Sequence, residues 1–211
     1  MDELKELGQK RQGSIHCLSI IGQIEGHHVL PEDVKTTKYE HVMPVLAAIE
    51  ESPEIEGLLV LINTAGGDVE AGLAIAEMIA GMTKATASLV LGGGHSIGVP
   101  LAVAAKRSFI ARSASMTLHP VRINGYVIGA EQSFSYLLEM QNRITDFVTS
   151  HSQITREKYN QLIFETGKMA NDIGTIVSGE QAASLGLIDQ IGGLSDALQY
   201  LHSSRNKLAD E

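Results

Sequence analysis

Three short stretches of this sequence hold residues whose types and spacing could do chemistry. Leu89-Val90-Leu91-Gly92-Gly93-Gly94-His95-Ser96-Ile97-Gly98 places a serine after three glycines at the end of an apolar run. Met116-Thr117-Leu118-His119-Pro120 ends a second run on a histidine, and Leu58–Gly67 ends a third on Gly66-Gly67. A serine hydroxyl beside an imidazole and two converging backbone N–H groups is the equipment of acyl transfer. The imidazole accepts the hydroxyl proton, the oxygen attacks a carbonyl, and the N–H groups hold the oxyanion.

Each part has a plainer reading. Ser96 falls where a strand gives way to a helix, so it is either a helix cap or a nucleophile set beside unpaired N–H groups. The glycines before it let backbone approach a ligand closely, which favours the second. His119 is held extended by Pro120, and an imidazole titrates in the range a general base needs; by itself it is equally a surface or core histidine. Gly66-Gly67 would serve as a simple turn. It also allows the Gly67 N–H to face the crevice that holds Ser96, with the Ile97 N–H as second donor. Loss of one such donor typically costs roughly 3–4 kcal/mol. His95 adjoins the serine but should point away from it, and His27 and His28 sit in a polar loop. Phosphate-loop, dinucleotide and H-E-x-x-H spacings are absent; Gly92, Gly94 and Gly98 miss G-x-G-x-x-G by one residue.

The elements that must position these residues alternate strand and helix. Apolar runs closed by glycine read as buried parallel strands, and in parallel sheets ligands gather at the strands' carboxyl ends. Strands are expected at Ser14–Ile21, Gly57–Asn63, Thr86–Leu91, Ser108–Ala111, Ser115–Leu118 and Leu187–Ile191, with β-like alternation over Val121–Gly129. Gly22–Lys38 reads as a polar loop. Helices are expected at Thr37–Glu51, kinked or delayed by Pro44, and at Asp68–Met82, Ser96–Ala105, Ala130–His151, Thr155–Thr166, Ser178–Leu185 and Leu194–Leu201. The long pair over 130–166 would form a projecting hairpin, and Ser178 with Gln181 fits a capping box.

A chain of 211 residues, 44% hydrophobic with 21 glycines, fits one α/β domain behind a polar leader at 1–12. A net charge of −9 with no long basic run excludes nucleic-acid binding through phosphates and disfavours anionic membrane surfaces. The single cysteine, Cys17, can form no internal disulfide, which suits a reducing cytoplasm. The polar start argues against a signal peptide. Thr86–Ala105 is long and nearly uncharged, but its glycines, His95 and Pro100 make it strand, turn and helix rather than a membrane span.

In order and spacing these residues resemble the Clp protease proteolytic subunit family of serine peptidases. The likeness runs over most of 55–190: strand, glycine turn and Ala71-Gly72, Ala74-Ile75 helix, then the Gly92–Gly98 nucleophile turn, the Met116–Pro120 histidine segment and the closing Ser178–Asp189. The resemblance implies an α/β, ClpP/crotonase-like fold of repeated β-β-α units with a helical handle at 123–165. It implies Ser96 as nucleophile, His119 as base, Gly67 and Ile97 as oxyanion donors, and no metal or organic cofactor. Substrates would be peptides or unfolded proteins, in a homo-oligomeric ring. The family's acid position, counted back from Ser178, falls on Gly174; the nearest aspartate is Asp172, taken as the triad acid, the rival readings being Asp189 in that role or Asp172 as a plain solvated loop residue. Leu61 stands where the family tends to carry an aromatic residue in the pocket that docks an ATP-driven unfoldase, which weakens the expectation of that partner. The ending Leu185–Leu194 also resembles signal peptide peptidase A, which uses a serine–lysine dyad. A crotonase-like acyl-CoA enzyme or a non-catalytic assembly protein are the remaining alternatives on this fold.

Overall fold

The computed structural model describes residues 13–123, 128–169 and 172–208. The expected leader at 1–12, and part of the 123–165 handle, lie outside them. Strands β1 (Ile15–Glu25), β3 (Gly57–Gly67), β4 (Ala85–Gly94) and β5 (Arg107–Ile110) pair in parallel, with short β2 (Thr36–Lys38) and β10 (Gln190–Ile191) at the two edges. The order is β10-β5-β4-β3-β1-β2. Strand β6 (Ser115–Leu118) joins β4 through Gly93 and Ser115, and carries β9 (Thr175–Ser178) antiparallel on its other edge. A separate hairpin pairs β7 (Thr166–Met169) with β8 (Asp172–Ile173).

Both faces of the sheet are apolar, as parallel strands covered on both sides must be. Leu18, Ile20, Leu58, Val60, Ile62 and Val90 face a large core shared with helices α1 (Tyr39–Glu51), α2 (Val69–Ala80) and α3 (Gly98–Val103), and with the buried parts of α4 (Ala130–Ser150) and α5 (Arg156–Ile163). The alternate residues Ile15, Leu59, Ala87 and Leu89 face Ala197 and Leu201 of the closing helix α7 (Leu194–Leu208), which follows α6 (Gly179–Ser184) and β10. Each such Leu or Ile contributes on the order of 1.5–3 kcal/mol when fully buried. Two small polar side chains on β4 hold α3 and the segment after it: the Ser88 hydroxyl donates to the Ala102 carbonyl, and Thr86 Oγ1 accepts from the Lys106 N–H, three residues past the helix, at 2.8 Å.

Four short strands are not among the expected elements: β2 lies in the stretch read as polar loop, β7 begins at Thr166 where the expected helix Thr155–Thr166 has already ended at Ile163, and β8 and β9 follow it; the other departures are at strand ends. β3 and β4 do not stop at Asn63 and Leu91 but run through their glycines, because neighbouring ladders persist: Ile24 pairs with Gly67, and Thr64 with Gly94 across a bulge. For the same reason β1 continues to Glu25, into the stretch read as loop. Helix α1 starts at Tyr39 and accommodates Pro44 internally. Leu187 and Ile188 are buried but precede the two-residue strand β10. The capping box at Ser178 and Gln181 is present. On α4, Met140, Ile144, Phe147 and Val148 are buried, whereas Phe134, Tyr136 and Leu138 are exposed, so only the later half joins the core. The expected β-like stretch at 121–129 lies partly outside the described residues. Among the described residues, no helix is long and apolar enough to cross a membrane.

Close packing of α2 on α3 depends on Gly72. A Cβ there would stand 2.4 Å from Cγ1 of Ile97, a β-branched side chain that is 2% exposed and has nowhere to move. Gly72→Ala should therefore lower stability by roughly 1–2 kcal/mol, the overpacking outweighing the ~1 kcal/mol gained in helix propensity. Urea unfolding checks this; a stabilised variant would contradict it.

Candidate active site

After Gly94 the chain turns away from β4 at His95 and Ser96. Ser96 has φ +58°, and among the described residues it is the one non-glycine with positive φ. Such a conformation costs on the order of 1–3 kcal/mol and persists only where the surroundings impose it. Three bonds do so here. The Ser96 N–H donates to the Thr117 carbonyl at 2.9 Å, the His95 N–H to the Thr64 carbonyl at 3.1 Å, and the Gly98 N–H to the His95 carbonyl at 2.9 Å. The N-cap of α3 is Ile97, without a side-chain cap bond, so the plainer reading of Ser96 as a helix cap does not hold.

Room for the serine comes from the other glycine turn. Gly66 has φ +93°, and a Cβ on it would lie 2.6 Å from Ser96 Cβ and 3.2 Å from Oγ. Its N–H is fixed by Thr64 Oγ1 at 3.0 Å, and that hydroxyl in turn donates to the Gly22 carbonyl at 2.6 Å. The two turns are thus in contact and share Thr64 as a brace.

Gly67, Ser96, Ile97 and His119 line one cleft of about 360 Å³, together with Gln23, Leu118, Arg122, Ile144 and Tyr159 among others. The structure therefore brings together four of the five residues singled out from the sequence. His119 Nδ1 lies 2.7 Å from the Pro120 carbonyl oxygen. A carbonyl only accepts, so Nδ1 carries the proton, and in the neutral ring Nε2 is left with the lone pair that can take another. Serine and histidine share the cleft without a hydrogen bond between them. Tyr159 is 3% exposed, and burial pushes its phenol above the ordinary range, which keeps a neutral hydroxyl in the cleft wall. A larger groove of about 800 Å³, between α2 and α4 beside the Glu70–Arg143 pair, contains none of the four.

The acid is placed differently. Asp172, on β8, is paired with Arg122 at 2.6 Å, and its other oxygen accepts its neighbour Ile173's N–H at 2.8 Å. Gly174 lies against the histidine instead: a Cβ there would be 2.9 Å from His119 Cβ. Asp189 is committed elsewhere, accepting from the Ser108 N–H and hydroxyl at 2.8 and 2.9 Å. His27 meets Tyr39 edge-on in an exposed loop and does not line the cleft. His95 turns its ring to Thr117, with Nδ1 2.8 Å from Oγ1, and burial lowers its pKa, which keeps it neutral at neutral pH. Reading the sequence missed Thr64, Thr117 and Tyr159. Threonine in a strand signals only sheet propensity, and Tyr159 reaches the cleft from α5, far along the chain.

A parallel α/β sheet with a strained serine turn and a histidine at its carboxyl edge defines a ClpP/crotonase-like fold, and the chain belongs to the Clp protease family, whose model matches residues 12–194. It is similar to the translocation-enhancing protein TepA of Halalkalibacterium halodurans, 56% identical over 206 residues that cover 95% of this chain and 80% of that protein. It is also similar to ATP-dependent Clp protease proteolytic subunit 1 of Chlamydia abortus, 26% identical over 140 residues, covering 64% and 69% of the two chains.

Contact between the two turns makes Gly66 a sensitive position. Gly66→Ala should push Ser96 off its position and slow any reaction at its hydroxyl by about 100-fold, the cost typical of an ångström-scale misplacement. The rate of Ser96 modification by a fluorophosphonate, compared at equal secondary structure by circular dichroism, measures the effect.

Proposed function

We propose that the protein is a serine peptidase that cleaves peptide bonds through an acyl-enzyme. The observation that carries this reading is the strained Ser96 turn, set in one cleft with His119, Gly67 and Ile97. Nε2 of His119 takes the Ser96 proton as Oγ attacks the scissile carbonyl. The protonated imidazole then hands that proton to the leaving amine, and water repeats the cycle on the ester. Of the amides at the turn, those of Ser96 and Gly98 already have carbonyl partners. That of Ile97 is left for the oxyanion, with Gly67 as second donor.

Asp172 is the acid proposed to orient His119, on release of its carboxylate from Arg122; until then the Pro120 carbonyl holds the ring. Peptides or unfolded chains are the proposed substrates, and likeness to a protein named as translocation-enhancing supports a connection to translocation. The exposed Phe134, Tyr136 and Leu138 on α4 support a homo-oligomer that covers them.

Fluorophosphonate labelling tests the reading. Stoichiometric modification of Ser96 is expected, absent in Ser96→Ala and slowed at least 100-fold in His119→Ala, the usual contribution of a general base. No label on correctly assembled protein would sink the proposal. Asp172→Asn separates the two ways of holding the imidazole. A fall in kcat of about 10²–10⁴ at steady KM is expected if the carboxylate orients the ring. An unchanged kcat assigns that task to the Pro120 carbonyl alone.

A further inference from the structure

We infer that Thr117 is a positioning residue for the nucleophile and that it acts through His95, an inference that rests on the peptidase reading above. Thr117 grips both residues of the turn at once. Its carbonyl accepts the Ser96 N–H at 2.9 Å, and its hydroxyl bonds His95 Nδ1 at 2.8 Å. His119 follows two residues later, immediately after the end of β6, so the grip that fixes Ser96 to β6 also sets the serine's position relative to the base.

The imidazole of His95 is shaped into this role. It lies across Gly93, where a Cβ would stand 2.3 Å from Nε2, so the ring occupies space that any other residue at 93 would fill. Its backbone N–H is tied to the Thr64 carbonyl, and Thr64 Oγ1 braces the Gly66 N–H. One continuous path of hydrogen bonds therefore runs from the turn at Gly66 through Thr64 and His95 to Thr117. It joins the ends of β3, β4 and β6, which supply the proposed oxyanion donor, nucleophile and base. Met116 and Leu118 point into the core on either side, while Thr117 is only half-buried on the opposite face. Core packing therefore does not demand a hydroxyl there. A carbonyl alone would hold Ser96 N–H from any residue at 117; the hydroxyl is what adds the second point of attachment and stops the dipeptide from pivoting about the first.

The test compares Thr117→Val, which keeps shape and strand propensity but removes the hydroxyl, with Thr117→Ser, which restores it. The readouts are fluorophosphonate labelling of Ser96, kcat and KM on a peptide substrate, and the urea midpoint. Thr117→Val should slow labelling and lower kcat by about tenfold, with KM and the urea midpoint nearly unchanged, as expected when a reacting atom loses orientation rather than binding. Thr117→Ser should return both rates to within about twofold of the wild type, and His95→Phe should reproduce the valine effect. In the double variant Thr117→Val/His95→Phe the losses should not add, because one shared bond is removed. Wild-type labelling in Thr117→Val, or failure of serine to restore it, overturns the inference and leaves the peptidase reading standing. Absence of labelling in the wild type overturns both.

Discussion

The positive φ of Ser96 is the constraint around which the carboxyl edge of the sheet is organised. A serine left to itself rarely adopts that conformation, and it does so here because its N–H, the carbonyl before it and the His95 N–H all have fixed partners. The strain lifts the hydroxyl out of the strand direction and into the cleft. It also removes Ser96 from helix α3, whose cap passes to Ile97. A local backbone cost of a few kcal/mol at most is thereby converted into a fixed place for one oxygen atom.

That cost is met by the core beneath. The first face of β3 and β4 packs on α2 and α3, Ser88 binds β4 to the far end of α3 and Thr86 binds it to Lys106 just beyond, so strand and helix cannot shift independently. The turn between them has little freedom once both ends are pinned. Gly72 on α2 and Gly66 on the neighbouring turn then leave only the space that Ile97 and Ser96 occupy. Dense packing transmits position here much as hydrogen bonds do.

The alternation of strand and helix, the glycine-closed apolar runs and the candidate pair Ser96 and His119 were legible without coordinates, because period and punctuation are local properties. Strand ends were not. Gly66, Gly67 and Gly92–Gly94 read as breakers, yet they remain in the sheet because hydrogen bonds from neighbouring strands override a single residue's preference. Ser96 as a cap or a nucleophile was likewise undecidable from position, since both stand at a strand-to-helix junction. The acid was the least legible part. Asp172 is two residues from Gly174 in sequence, but a short hairpin and Arg122 decide where its carboxylate goes.

By itself, then, the sequence picked out the candidate residues Ser96, His119, Gly67 and Ile97 and the order in which strands deliver them, since residue type, glycine spacing and apolar period are written along the chain. Only the tertiary structure decided how they meet. It set the left-handed turn at Ser96, the contact of Gly66 with that serine, the Pro120 carbonyl on His119 and the bond from Thr117 to His95. Three of these four depend on groups brought together from different strands, and no local preference encodes a hydrogen bond whose partner arrives twenty or more residues later; the fourth, from His119 to its own neighbour, is settled by the cleft that turns the ring.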